Sequence, residues 1–128
     1  MGLDISVEPN GDNFRAGSYS GFAAWREWLA SQVGIDLNKM DGFGGVIPWT
    51  GAEPFGPLLN HPDNDGFLKK RDCKRLSKDF QKYFFIILNS NRPVNEDFNW
   101  AWCIQKYIKW KESVDEVADG TNALIRFC

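Results

Sequence analysis

"LDISVEPNG", residues 3 to 11, decides whether this chain is all-helical or carries a sheet. Leu3, Ile5 and Val7 alternate with Asp4, Ser6 and Glu8. Successive side chains of an extended strand point to opposite faces, so this pattern predicts a strand buried on one side only. Pro9, Asn10 and Gly11 end it, each being a turn former. The last residues, "ALIRFC", read as a second strand. Pairing of the first strand with the last is the simplest way to satisfy their backbone groups, and it would hold the two ends of the chain together.

Between these strands the apolar spacing changes to that of helices. From Ser20 to Val33, the residues Phe22, Trp25, Trp28, Leu29 and Val33 recur on one helical face, with Ser18 or Ser20 as cap and Gly34 beyond the end. A second helix is predicted from Lys69 to Leu88 on the stripe Cys73, Leu76, Phe80, Phe84 and Ile87. A third opens at Asn95 and ends at Gly120, burying Trp100, Cys103, Ile104, Tyr107, Trp110, Val114 and Ala118. Residues 36 to 66 are rich in glycine and proline and read as loop, with "GVIPW" as a short edge strand. The expected architecture is a single α+β domain over residues 1–128: three main helices and a small antiparallel sheet made by the N- and C-terminal strands.

Composition narrows the function. The chain has 128 residues, 43% hydrophobic and 25% charged, with net charge −2. No apolar run approaches the roughly 20 residues that span a bilayer, and a basic, apolar secretory leader is not seen, so no membrane role is expected. Three widely spaced cysteines, Cys73, Cys103 and Cys128, suit a reducing, cytoplasmic compartment better than a disulfide framework. Six Trp and ten Phe are the compositional excess, suited to filling a core or lining a binding surface.

"HPDNDGFLKKRD", residues 61 to 72, resembles a degenerate EF-hand loop. Aligning Gly66 with the invariant turn glycine puts His61 at position 1, Asp63 at 3, Asp65 at 5 and Asp72 at 12. His61 offers nitrogen where calcium prefers oxygen, and Asp72 is one methylene short of the usual bidentate Glu. Lys69, Lys70, Arg71, Lys74, Arg75 and Lys78 follow at once and repel a cation. Any Ca²⁺ site would therefore be weak, with a dissociation constant of about 10⁻⁴ to 10⁻³ M. The plainer reading is a structural turn: Asx-turns at Asp63, Asn64 and Asp65, with Gly66 at positive φ.

"RAGSYSGFAAWREWL", from Arg15, offers a second candidate. A glycine-serine turn entering a helix can hold an anion on its amides, with Arg15, Ser18, Tyr19 and Ser20 as ligand-binding residues; the competing reading is an ordinary capped helix start. Trp102 lies opposite the apolar stripe of its helix and either packs under the central loop or anchors a partner. Lys70, Lys74, Lys78 and Lys82 form a basic ridge, but the acidic net charge and the lack of interleaved aromatics disfavour nucleic acid. With one histidine, any Ser–His or Cys–His mechanism must run through His61, and no motif assigns a catalytic residue.

The combination "MGLDIS", "RAGSYSGFAAWREWL" and "PLLNHPDNDGFLKKRDCKRL" resembles a family of small bacterial and phage-associated proteins with no assigned function. The likeness covers the first two-thirds of the chain and extends loosely to "IRFC". It implies an intracellular bacterial or phage setting and no activity. Together these readings point to a non-enzymatic intracellular binding or interaction module, its partner a protein or a small molecule, with the site where the turn at Arg15 to Phe22 and the 61–66 loop approach the glycine-rich middle. The alternative is a small hydrolase or transferase using His61 with Asp63 or Asp65, with or without the help of a metal. A third reading is an accessory or immunity-type inhibitor protein.

Overall fold

The computed structural model describes residues 2–61, 66–90 and 100–127. Strand β1 spans Gly2–Glu8 and β2 Asn13–Ser18; helix α1, Tyr19–Gln32, follows directly. A 3-10 turn at Leu37–Lys39 and a short helix α2, Gly56–Leu59, punctuate the central segment. Strand β3, Phe67–Lys69, leads into helix α3, Lys70–Ser90. Helix α4, Trp100–Asp119, and strand β4, Leu124–Phe127, complete the order.

The four strands form an antiparallel sheet in the order β2-β1-β4-β3. The expected pairing of first and last strands is found, with Ile5 opposite Phe127 and Val7 opposite Ile125. The alternation read from the sequence is the burial pattern: Leu3, Ile5, Val7, Ile125 and Phe127 are buried beneath the helices. The opposite face is polar and carries the ion pairs Arg15–Asp4 at 2.6 Å and Arg126–Glu8 at 3.0 Å. Being half-exposed, these pairs contribute little beyond register.

The core is built from stacked rings. Phe22, Trp25 and Trp110 lie within 6.2 Å of one another, and Phe127 of β4 closes against both Phe22 and Trp110. Helices α3 and α4 run antiparallel, fixed by Ser77 Oγ donating to Asp115 and by the Tyr107 hydroxyl donating to the Phe80 carbonyl at 2.7 Å. Of the stripes expected from periodicity, Cys73, Leu76, Phe80 and Ile87 of α3 and Cys103, Tyr107, Trp110, Val114 and Ala118 of α4 are buried, while Phe84, Trp100 and Ile104 are partly buried.

Several elements depart from the sequence reading: the 3-10 turn and α2 lie within residues 36–66, which read as loop. "GVIPW" forms no edge strand: Met40–Ile47 and Asp41–Gly45 make isolated bridges that fold the segment back on itself. Gly45 permits this, since a Cβ there would fall 2.0 Å from the Lys39 carbonyl carbon. Strands β2 and β3 were not expected. Residues 13–18 bury only Ala16 fully, and β3 has three residues, too short for a visible alternation. The expected opening of the last helix at Asn95 lies outside the described residues.

Candidate functional site

Arg26 organises a recess beside α1. It sits four residues after Phe22 on the inward face of α1 and is only 5% exposed. Its guanidinium lies over the Phe22 ring at 4.9 Å and the Phe43 ring at 5.4 Å. One terminal nitrogen donates to the carbonyls of Leu59, at 3.2 Å, and His61. A buried guanidinium is tolerated only when stacked and hydrogen-bonded in this way. The contacts tie three sequence-distant segments together: α1, the glycine-rich loop at Phe43, and the end of α2.

Above Arg26 opens a recess of about 480 Å³, lined by Glu27, Leu37, Asn38, Phe43, Asn60 and His61 among others. The Asn38 side-chain amide donates to Glu27 Oε1 at 2.6 Å, and Asp36 caps the 3-10 turn by accepting from the Asn38 amide. The polar wall thus sets the Glu27 carboxylate beside the amides of Asn38 and Asn60, while Leu37 and Phe43 supply an apolar surface. The volume falls in the range of small-molecule sites, about 300–1,000 Å³.

His61 lies at the edge of this recess and of a second, about 280 Å³, shared with Trp49, Glu53, Leu68, Asp72 and Arg75. Its ring stacks on Phe127 at 4.0 Å, and Nε2 is 3.1 Å from the Phe67 carbonyl. Gly66 adopts φ +92°, the positive value expected of it, packed against the His61 ring. Arg75 donates to the carbonyls of Gly51 and Glu53, the latter at 2.6 Å. The Glu53 carboxylate in turn accepts from the Thr50 amide at 2.9 Å and the Gly51 amide at 3.0 Å. The bond from the Thr50 backbone is the main cause that holds its carboxyl below the usual range.

Of the cation ligands named from the sequence, His61 and Asp72 share the second recess, whereas Asp63 and Asp65 lie outside the described residues. Among the described residues no three His, Cys, Asp or Glu side chains come together as metal ligands.

None of Arg15, Ser18, Tyr19 and Ser20 lines the recess. Arg15 pairs with Asp4 on the outer sheet face. Ser18 is the N-cap of α1, its hydroxyl accepting from the Gly21 amide at 3.0 Å, with Ser20 Oγ 3.2 Å away. Tyr19 packs half-buried against the core. Trp102 covers this turn: a Cβ on Gly17, whose φ is +126°, would come within 3.2 Å of its ring. Lys106 donates to the Arg15 carbonyl at 2.7 Å, and burial lowers its pKa. So four of the five ligand-binding residues named from the sequence fall at or beside one turn, and Trp102 lies over it rather than under the central loop.

The sequence reading missed Arg26, Glu27, Asn38 and Asn60. One signal was available: Arg26 falls on the stripe of Phe22, Trp25 and Leu29, where a cation must be stacked or bonded. Asn38 and Asn60 carry no local signal, because their relation to α1 is purely tertiary.

No protein-family model, curated protein or solved structure matches the chain. No helix among the described residues is long and apolar enough to cross a membrane.

Proposed function

We propose that this protein works by binding, and that it holds a small polar ligand in the recess between α1, the 3-10 turn and His61. The observation that carries this reading is the recess of about 480 Å³ with Glu27, Asn38, Asn60 and His61 converging over an aromatic floor. The Glu27 carboxylate favours a ligand bearing an amino or hydroxyl donor, with an apolar portion seated on Phe43 and Leu37. We place it in a cytoplasmic, bacterial or phage setting, supported by the motif resemblance and by Cys73 and Cys103 being free and buried.

Binding is favoured over hydrolysis by the chemistry of the candidate nucleophiles and base. Burial pushes the Cys73 and Cys103 thiols up to about 12, leaving them protonated and unreactive at neutral pH. The His61 ring is stacked on Phe127 and turned toward the Phe67 carbonyl, a placement suited to holding the strand entrance.

An NMR-detected screen of small amines, polyols and amino acids tests the reading. The expected result is a set of saturable shifts on Glu27, Asn38, Phe43 and His61, lost in Glu27→Gln. Shifts clustering elsewhere, or catalytic turnover abolished by His61→Gln with the fold intact, would refute it.

A further inference from the structure

The outer face of α3 is arranged against its own stability. Lys70, Lys74, Lys78 and Lys82 follow one another at four-residue spacing, and Arg71 precedes Arg75 in the same way. Like charges so placed are neighbours about 6 Å apart along the helix axis, and they destabilise it where a Glu would stabilise it. The acids of this helix do not relieve the row. Asp79 accepts from the Phe55 amide at 3.0 Å, and Asp72 lies 3.9 Å from Arg71 Nε while lining the His61 recess. Lys70 and Arg75 are engaged with backbone carbonyls. Lys74, Lys78 and Lys82 have no carboxylate partner among the described residues, and Lys74 and Lys78 help line a groove of about 540 Å³.

The next turn of the same face is apolar. Phe85 is 67% exposed and Ile86 57%. A solvated helix face would continue polar there, and neighbouring exposed apolar side chains beside fixed charge mark a contact surface.

We propose that this face docks an acidic amphipathic helix of a partner protein, its carboxylates spaced every four residues against Lys74, Lys78 and Lys82 and its apolar end covering Phe85 and Ile86. Charge complementarity selects the occupant: the row lacks only an opposite charge at its own spacing. Two features disfavour a polynucleotide. The cations without a carboxylate partner are lysines, which lack a bidentate fork, and the chain carries net charge −2. The cationic and apolar sectors follow one another along the axis instead of occupying opposite faces, which does not suit a helix lying in a membrane interface. The surface is separate from the recess above Arg26, so the two readings fail independently.

Fluorescence anisotropy with a synthetic helical peptide, Glu at every fourth position and Leu at one end, tests the proposal on the full chain. Saturable binding that weakens with added salt is expected. The Lys74→Glu/Lys78→Glu/Lys82→Glu variant should lose about tenfold or more in affinity, while its thermal midpoint holds or rises, which separates lost docking from lost folding. Phe85→Ser/Ile86→Ser should weaken the same peptide without changing the salt dependence. The proposal is overturned by no peptide binding at low salt, by equal binding to the charge-reversed variant, or by tighter binding to a single-stranded oligonucleotide or to phosphatidylserine-containing vesicles.

Discussion

Arg26 shows how one residue can set both the stability and the shape of a site. Its guanidinium lies over the rings of Phe22 and Phe43 and donates to the carbonyls of Leu59 and His61 at the end of α2. Replacing it by Met keeps the length but leaves those carbonyls without their donor, at a cost of about 2–4 kcal/mol. Arg26→Lys should recover little, since an ammonium cannot stack or fork as guanidinium does. Urea unfolding of the two variants checks this, and near-equal stability of Lys and wild type would contradict it. The tryptophans offer a second contrast. Trp25 Nε1 donates to the Cys103 carbonyl at 3.1 Å, whereas Trp28 Nε1 is buried with no acceptor among the described residues. Trp25→Phe should therefore cost about 1 kcal/mol more than Trp28→Phe, read from denaturation midpoints. A sequence reading treats both as core and has no means to rank them.

At the level of elements, the helices were legible because each buries large side chains at helical spacing, and β1 because its alternation is uninterrupted. β2 was hidden by its own composition: Gly17 and Ser18 look like a turn, and Ala16 is a faint apolar signal. Trp102 explains what that glycine does, since its ring occupies the space a side chain would need. Gly17→Ala should be destabilising by about 1–3 kcal/mol, combining an unfavourable φ with the clash. Amide exchange should then quicken at the start of α1 before it does in α3. The lysine row makes the opposite forecast. Lys78→Glu converts two repulsive four-residue pairs into attractive ones and should raise stability by about 0.5–1 kcal/mol. A fall in melting temperature would mean that Lys78 has a favourable native contact and that the row is not strained.

For the whole molecule, the response to alkali is set by groups the core keeps protonated. Burial raises the Cys73 thiol from 9.0 to about 12, with the Asp72 charge adding to it, and raises Cys103 likewise. Burial also lifts the Tyr107 phenol above its ordinary 10.0, aided by Asp79 and Asp115. Above pH 9 the unfolded chain releases protons that the folded chain retains. Stability is therefore full below about pH 9 and falls as pH rises toward 12, by about 1.4 kcal/mol per pH unit for each group in its range. Cys73→Ala/Cys103→Ala should flatten that decline in urea midpoints measured from pH 8 upward, leaving the Tyr107 part. The α+β class and the closure of the chain ends were legible at this scale, because strand alternation and helical stripes are local patterns. The recess was not, because it depends on where α1, the 3-10 turn and α2 come to rest. The sheet order has one more effect. β4 is an inner strand, inserted between β1 and β3, yet residues 124–127 leave the ribosome after everything they join. Until then a nascent chain exposes the β1 edge and the ring cluster that Phe127 seals. Completion of this fold must wait for translation to pass residue 127.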